Sequence, residues 1–273
     1  MKNNFTPQFL SDMRNGVVEC FNFSELQILC IDLGIDYENL SGDGKEAKAR
    51  ELIGYLHRRH RLSQLITYCI SARPNYAWPQ IPANEPLSKI TILFLAADPT
   101  DLTRLRLGEE LREIQEKLQL AKLRDIFDLK QRTSVRPADI SQALLDLQPQ
   151  IVHFSGHGTG TGALVFENQT AGAHLVQPDA LGDLFEQFAS QVNCVVLNAC
   201  YSEIQASAIT KHIEYVIGMN QAIGDKAAIA FAIGFYQALG AGRAIEAAYK
   251  LGCVQIRLQD IPEHLTPVLV RKH

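Results

Sequence analysis

The sequence predicts an α/β domain with a mostly parallel sheet flanked by helices, preceded by a small all-helical bundle. Three observations favour this fold class. Apolar residues recur at helical spacing over residues 1–72, prolines then interrupt the chain, and short apolar runs alternate with amphipathic segments from residue 89 onward. With 273 residues, of which 47% are hydrophobic, the chain has enough apolar material for one small and one large core.

Residues 1–72 are expected to form a compact bundle of four or five short helices. No run in this region alternates apolar and polar residues with the period of two that a strand requires. Ser24 is the expected N-cap of the second helix, and Gly34 is expected to end it. The segments with helical spacing are Phe9–Cys20, Glu25–Leu33, Lys45–Arg61 and Leu62–Ala72.

A proline-rich stretch over residues 73–88 separates the two regions. It contains Pro74, Pro79, Pro82 and Pro86. Proline lacks a backbone N–H and fixes φ, so four prolines in so short a stretch exclude a helix and favour an extended tether. We therefore expect a helical domain at 1–72, a linker at 73–88 and an α/β domain at 89–273.

The second domain is predicted from strand and helix segments that follow one another along the chain. The expected strands are Ile90–Ala96, Phe127–Gln131, Ile151–Phe154, Cys194–Leu197 and Tyr215–Met219, and the expected helices are Leu105–Leu118, Arg136–Leu147 and Asp225–Leu239. The charged residues of the first of these helices, among them Glu109, Glu110 and Glu113, are expected to form exposed pairs four residues apart.

Two segments each place one reactive side chain just after a predicted apolar strand. IVHFSGHG (151–158) leads to His157, and VVLNACYS (195–202) leads to Cys200. In a parallel sheet both strand ends fall on the same edge, and neighbouring strands lie about 5 Å apart, so imidazole and thiol can converge. An imidazole can take the thiol proton and later give it to a leaving amine, which is the chemistry of a cysteine nucleophile.

A cysteine nucleophile also requires fixed N–H donors for the oxyanion that forms when it attacks a carbonyl. The backbone N–H groups of Gly158 and Cys200 are the expected donors. Loss of one such donor typically lowers the rate by about 10²–10³-fold. Gly156 and Gly158 keep the backbone around His157 free of side chains, so that a substrate can approach.

The order of histidine and cysteine, each after an apolar strand, resembles the caspase-like cysteine peptidases, the clan of caspases, metacaspases and separases. His157 precedes Cys200 by 43 residues, and caspases place their histidine about 50 residues upstream. Within that clan the chain resembles the CHAT family. The segments that carry this resemblance are ILFLAADP (92–99), LRLGEELREI (105–114), IVHFSGHG, GALVFEN (162–168), VVLNACYS and the run over 216–252.

The resemblance implies that His157 and Cys200 form the catalytic dyad of a peptidase that works through a thioester. It also implies a pocket for the residue before the scissile bond, lined here by Asp98, Asn198 and Asp225. Metacaspases, which cut after Arg or Lys, carry an acid two residues before the cysteine. The neutral Asn198 at that position argues against basic specificity, which Asp98 could restore.

The helical domain at 1–72 is similar to the effector-associated, death-like domains of bacterial conflict systems. That similarity implies homotypic pairing with a like domain on another protein, as well as recruitment or dimerisation that activates the peptidase. We also expect a protein substrate. The net charge of −4 gives no reason to expect a nucleic-acid or membrane partner. A cytoplasmic location with reduced thiols is expected.

The same residues admit three other interpretations. A zinc site at His153, His157, Cys194 and Cys200 is disfavoured because the two histidines of an extended strand lie about 13 Å apart. The dinucleotide pattern GTGTGA (158–163) requires a following helix, yet LVFEN reads as a strand. No metal or cofactor is therefore expected. The remaining alternative is a non-catalytic scaffold that keeps the peptidase fold.

Overall fold

The computed structural model of the chain describes residues 5–59, 61–79 and 89–272. The chain divides into two compact units, Met1–Lys89 and Ile90–His273. The first unit is helical and the second is an α/β unit, as the sequence predicts. None of the helices in these described ranges is long and apolar enough to cross a bilayer.

The helical unit contains, within its described residues, helices α1 (Pro7–Cys20), α2 (Phe23–Asp32), α3 (Lys45–Arg58) and α4 (Leu62–Ala72). Their apolar stripes meet in one core, whose members with no exposed surface include Met13, Val17, Leu26, Leu52 and Leu65. The predicted bundle is confirmed, and α4 has the predicted bounds, whereas α3 ends three residues earlier than the predicted Arg61.

The N-cap of α2 differs from the prediction. Asn22, not Ser24, caps the helix: its side chain accepts a hydrogen bond from the Glu25 N–H, and the Glu25 carboxylate accepts one from the Asn22 N–H, both at 2.9 Å. This reciprocal pair satisfies two backbone donors that the first turn leaves without partners. The expectation of Ser24 is wrong because the asparagine with a glutamate three residues later is the stronger signal.

The segment 73–79, predicted to begin a tether, packs on the helical core. Trp78 is only 7% exposed, and its indole N–H donates to the Arg73 carbonyl. A Cβ added to Gly16 would lie 2.6 Å from the indole ring, so the ring rests on α1 where the glycine leaves room. Residues 80–88 of the predicted linker lie outside the described residues, and the predicted domain bounds stay predictions.

The α/β unit is built on a six-stranded sheet with a smaller three-stranded sheet beside it. In chain order the strands are β1 (Ile90–Ala96), β2 (Phe127–Arg132), β3 (Ile151–Ser155), β4 (His157–Gly158), β5 (Leu164–Glu167), β6 (Ala173–Val176), β7 (Cys194–Asn198), β8 (Tyr215–Met219) and β9 (Pro267–Arg271). The large sheet has the order β2-β1-β3-β7-β8-β9, and its pairs are parallel except for β8 with β9. The predicted mostly parallel sheet is thereby confirmed.

Helices cover both faces of the large sheet. They are α5 (Leu107–Gln119), α6 (Pro137–Leu147), α7 (Pro178–Gln187), α8 (Glu203–Ile209), α9 (Asp225–Gly240) and α10 (Ile245–Leu258). Side chains of β7 alternate between the two resulting cores, with Val195 and Leu197 on the side of α6, α7 and α8, and Cys194 and Val196 on the side of α5, α9 and α10. Such burial on both faces explains why the central strands read as continuous apolar runs.

Candidate active site

The two chemistry-bearing segments leave the sheet side by side. Strand β3 pairs in parallel with β7, and the last residues of the two strands, Ser155 and Asn198, are register partners. The chain therefore turns away from the sheet at the same edge in both cases. His157 and Cys200, each two residues beyond those partners, line one cavity at this edge. Strands β3 and β7 are therefore neighbours, as the predicted convergence of His157 and Cys200 requires.

The backbones that carry these two residues are in direct contact. A Cβ added to Gly158 would lie 1.9 Å from the carbonyl oxygen of Cys200, a distance that no side chain could occupy. Glycine is therefore the residue that lets the histidine loop approach the cysteine loop this closely. The contact between Gly158 and the Cys200 carbonyl sets the spacing between the histidine loop and the cysteine loop.

The hydrogen bonds of the His157 ring define which nitrogen can act as a base. Its Nε2 lies 2.8 Å from the carbonyl oxygen of Thr103. A carbonyl oxygen can only accept, so Nε2 carries the ring proton and the neutral ring keeps its lone pair on Nδ1. Thr103 is a site residue that the sequence analysis missed, because a backbone carbonyl has no signature in a sequence.

Asp98 organises the loop that presents this carbonyl. Its carboxylate accepts hydrogen bonds from the Arg104 guanidinium at 3.0 Å and from the Leu105 N–H at 3.4 Å, and one oxygen lies 3.8 Å from His157 Nε2. The structure places Asp98 outside the cavity lining. The predicted pocket residue thus lies behind the histidine, held there by its own loop, whereas Asn198 and Asp225 do line the cavity.

Cys200 is half-buried, and its sulfur contacts the chain after β8. The thiol lies 3.7 Å from the Ile223 carbonyl oxygen, as donor, and accepts from the Ile223 N–H at 3.4 Å. Among the described residues, no hydrogen bond joins this thiol to the His157 ring. Catalytic hydrogen bonds often tighten only when substrate is bound, so proton transfer between these two groups would require a change of side-chain rotamer or loop position.

The backbone N–H groups of Gly158 and Cys200 make no hydrogen bond to another described residue. In an antiparallel pair the bonded and non-bonded positions alternate, and Thr159 N donates to the Ala163 carbonyl at 2.9 Å. The preceding position, Gly158 opposite Leu164, is therefore non-bonded, and its N–H points away from β5. The N–H of Cys200 has no partner within the described ranges of the chain.

Ser202 ties the cysteine loop to the sheet. Its fully buried hydroxyl donates to the Leu197 carbonyl at 2.8 Å and accepts from the Met219 N–H at 2.9 Å. The loop thus has a hydrogen-bonded anchor to β7 and to β8. Between the anchor and the nucleophile, Tyr201 adopts a φ of 55°, a left-handed conformation that is rare for a residue with a side chain.

A buried carboxylate lies under the cavity. Glu110 is 2% exposed and lines the cavity from α5. It accepts hydrogen bonds from His153 Nε2 at 2.8 Å, from Asn198 Nδ2 at 2.6 Å and from the Ser155 hydroxyl. The expectation that Glu110 belongs to an exposed pair is wrong. Its position four residues before buried Ile114 was the available signal for burial.

Cys200 is the one cysteine among the described residues that line this cavity. Burial raises the pKa of Cys194, and it raises the pKa of Cys30 and of Cys69 to about 12. No cluster of three or more metal-ligating side chains occurs in the part of the chain that the structure describes. Leu164–Glu167, which follows the dinucleotide-like pattern, is strand β5, so the helix that nucleotide binding requires is missing there.

Comparison with protein families gives two matches. The CHAT domain model matches residues 45–264, and the model of effector-associated domain 7 matches residues 13–74. The first match thus includes all the cavity residues named above. The two matches overlap inside the helical unit, while the compact α/β unit begins at Ile90.

Two curated relatives carry protease names. A Roc-COR-CHAT protease from an unknown prokaryotic organism is 28% identical over 194 residues, which cover 66% of this chain and 18% of the relative. A probable protease from Gillisia limnaea is 25% identical over 150 residues, covering 54% and 26% of the two chains. The matched region is thus a minor part of both relatives. Among solved structures, caspase-1 from Spodoptera frugiperda aligns with a TM-score of 0.44 and 13% identity, covering 72% of this chain and 94% of that one.

Proposed function

The chain belongs to the CHAT domain family, and from this membership we propose that it is a caspase-like cysteine endopeptidase. Cys200 is the nucleophile and His157 is the general base and acid. The observation that carries the proposal is the parallel register of β3 and β7, which brings both side chains to one cavity. The family membership alone would not identify which histidine and which cysteine react.

The proposed reaction begins with proton transfer from the Cys200 thiol to His157 Nδ1. The sulfur then attacks the peptide carbonyl carbon, and the C–N bond breaks as His157 returns the proton to the leaving amine. A water molecule gives a proton to the same nitrogen and attacks the thioester, which releases the new carboxyl terminus and restores the thiol. The hydrogen bond from Nε2 to the Thr103 carbonyl supports this cycle, because it stabilises the imidazolium that forms twice.

The oxyanion of each tetrahedral intermediate is assigned to the N–H groups of Gly158 and Cys200. This assignment is supported by the free donor positions of both groups and by the close contact of their backbones. Preorganised backbone donors stabilise the developing charge without any reorganisation at the moment of reaction. The Ser202 anchor contributes by holding the cysteine loop in place.

The proposal is tested with a peptide ketone that alkylates cysteine nucleophiles. Incubation of the full chain followed by peptide mapping is expected to find the label on Cys200 and not on the buried Cys194. Peptide cleavage from a mixed library is expected to disappear in Cys200→Ala. Cleavage that persists in this variant would exclude the mechanism, and a chain that neither reacts nor cleaves would leave the non-catalytic scaffold as its function.

The helical unit is proposed to recruit or cluster the peptidase through another helical domain, in a bacterial defence or signalling system. Its match to effector-associated domain 7 supports this role. Clustering predicts that the cleavage rate per molecule rises with protein concentration. A high rate that is independent of concentration would contradict activation by association.

A further inference from the structure

The floor of the active-site cavity holds the buried carboxyl group of Glu110. Glu110 accepts hydrogen bonds from three groups, the His153 ring, the Asn198 amide and the Ser155 hydroxyl. Among the described residues, no lysine or arginine lies within ion-pair distance of its carboxylate. A buried carboxylate can remain ionised when several donors surround it, but it gains most from a positive charge.

The proton positions in this network follow from its buried phenol. Tyr236 is fully buried, burial raises its pKa, and its hydroxyl lies 3.0 Å from His153 Nδ1. A buried phenol needs an acceptor, which is the Nδ1 lone pair, so His153 carries its proton on Nε2 and donates it to Glu110. In this arrangement the His153 ring donates to the carboxylate and accepts from the phenol, so both of its nitrogens already have partners.

Asn198 adds a second feature that indicates a ligand. Its Nδ2 lies beside two acceptors, the Glu110 carboxylate at 2.6 Å and the Ala228 carbonyl at 3.2 Å, which fixes the orientation of the amide. Its Oδ1 is therefore the opposite atom, and this oxygen is buried without a partner among the described residues. Since a buried acceptor without a donor is costly, an N–H group from a ligand would stabilise this oxygen.

The walls and mouth of the cavity fit the same ligand. Apolar side chains of Leu107, Ile223 and Ile229 line it, as methylene groups would require. Asp225 lies on the lining as a second acid, and the one arginine there, Arg106, is half exposed and ion-paired with Glu109.

We propose that this cavity binds the lysine or arginine side chain that precedes the scissile bond, with Glu110 as the specificity-determining carboxylate and the Asn198 Oδ1 as an acceptor. The assignment rests on the proposed peptidase function and names its substrate class. An acidic side chain would place a second carboxylate beside Glu110, so the same floor rejects it.

The test uses three peptidyl acyloxymethyl ketones that differ only at the residue next to the reactive group, which is Lys, Gln or Glu. The rate constant for labelling Cys200 in the full chain is expected to be about 10–100-fold higher for Lys than for Gln, and lowest for Glu. Equal rates for Lys and Gln, or a preference for Glu, would overturn the assignment of the floor while leaving the peptidase proposal intact. If no probe labels Cys200, both proposals fail.

Two variants test which carboxylate causes the preference for the Lys probe. Glu110→Gln is expected to reduce the Lys to Gln ratio of labelling rates to nearly 1. Asp225→Asn is expected to reduce this ratio by about 3-fold, since the half-buried Asp225 carboxylate is better screened than the buried one of Glu110. Glu116→Gln on the same helix, outside the lining, is the matched control and should leave the ratio unchanged. Asp225→Asn keeps the test decisive if Glu110→Gln fails to fold. A ratio that neither Asp225→Asn nor a folded Glu110→Gln lowers would overturn the proposal.

Discussion

Strands β3 and β7 contain the same two residue types as the loops beyond their ends. His153 lies in the middle of β3 and Cys194 begins β7, and both are fully buried. His157 and Cys200 lie just past the ends of these strands and line the cavity. Both ring nitrogens of His153 are occupied by Glu110 and Tyr236, and burial raises the pKa of the Cys194 thiol. Position along the strand, not residue type, therefore separates the buried pair from the pair that we propose to be reactive.

The physical reason is the difference in solvation and freedom between the two positions. A strand interior in a sheet covered on both faces fixes its side chains in a low-dielectric core, where ionisation is costly. Beyond the last ladder position, the backbone turns toward solvent and its N–H groups become available to a substrate. The following predictions test this contrast between buried positions within the strands and positions just beyond the strand ends.

The largest expected effect separates the two cysteines. Cys200→Ala should lower kcat/KM for peptide cleavage by at least about 10³-fold, because it removes the nucleophile, and His157→Ala by about 10²–10⁴-fold. Cys194→Ala, at the buried start of β7, should retain the activity of the folded protein. Loss of activity in a folded Cys194→Ala would show that this buried position also takes part in the chemistry.

The next effect concerns the contact between the two exit loops. Gly158→Ala should lower kcat/KM by about 10²-fold, because its Cβ would collide with the Cys200 carbonyl and displace both oxyanion donors. Gly160→Ala is the matched control, since a Cβ there meets nothing within 4 Å. Steady-state kinetics of the two variants check the prediction, and similar values for both would remove the proposed role of the contact.

A smaller effect is expected from the anchor of the cysteine loop. Ser202→Ala should lower the free energy of unfolding by about 1–3 kcal/mol, because the buried Met219 N–H and Leu197 carbonyl lose their shared partner. The exposed Ser207 hydroxyl bonds only to the Glu203 carbonyl within its helix, so Ser207→Ala should change stability by less than about 0.5 kcal/mol. Urea unfolding followed by circular dichroism measures both, and equal values would contradict the anchoring role.

The smallest expected effect is a pH dependence of stability that arises from the buried thiols of the helical unit. Burial raises the pKa of Cys30 and of Cys69 from 9.0 to about 12. These thiols stay protonated in the folded unit but ionise above pH 9 when it unfolds, so stability is constant below pH 9 and falls as pH rises from there toward 12. Between pH 8 and 10 the loss should be about 1 kcal/mol per thiol.

Fluorescence of Trp78, the single tryptophan of the chain and part of this core, reports the urea unfolding of the helical unit. The double variant Cys30→Ala, Cys69→Ala is expected to lose this dependence between pH 8 and 10. An unchanged pH dependence in that variant would assign the effect to other groups.

Local pattern predicted much of the fold. Strands Ile90–Ala96 and Tyr215–Met219 have the bounds that their apolar runs indicate. Helices α7, α8 and α10 were not predicted. In the α8 segment, which begins at Glu203, the buried polar side chain of Gln205 interrupts the apolar pattern, and its Nε2 donates to the Gly162 carbonyl.

The sequence by itself determined the five parallel strands of the large sheet, the helices α5, α6 and α9, and the two candidate residues that follow β3 and β7, because hydrophobic period and strand length are local properties. The tertiary structure alone decided that His157 Nε2 lies beside the Thr103 carbonyl, and that Glu110, not Asp98, lies at the cavity. Those contacts join groups more than 40 residues apart in the chain, and no local pattern records which distant groups meet once the core has packed.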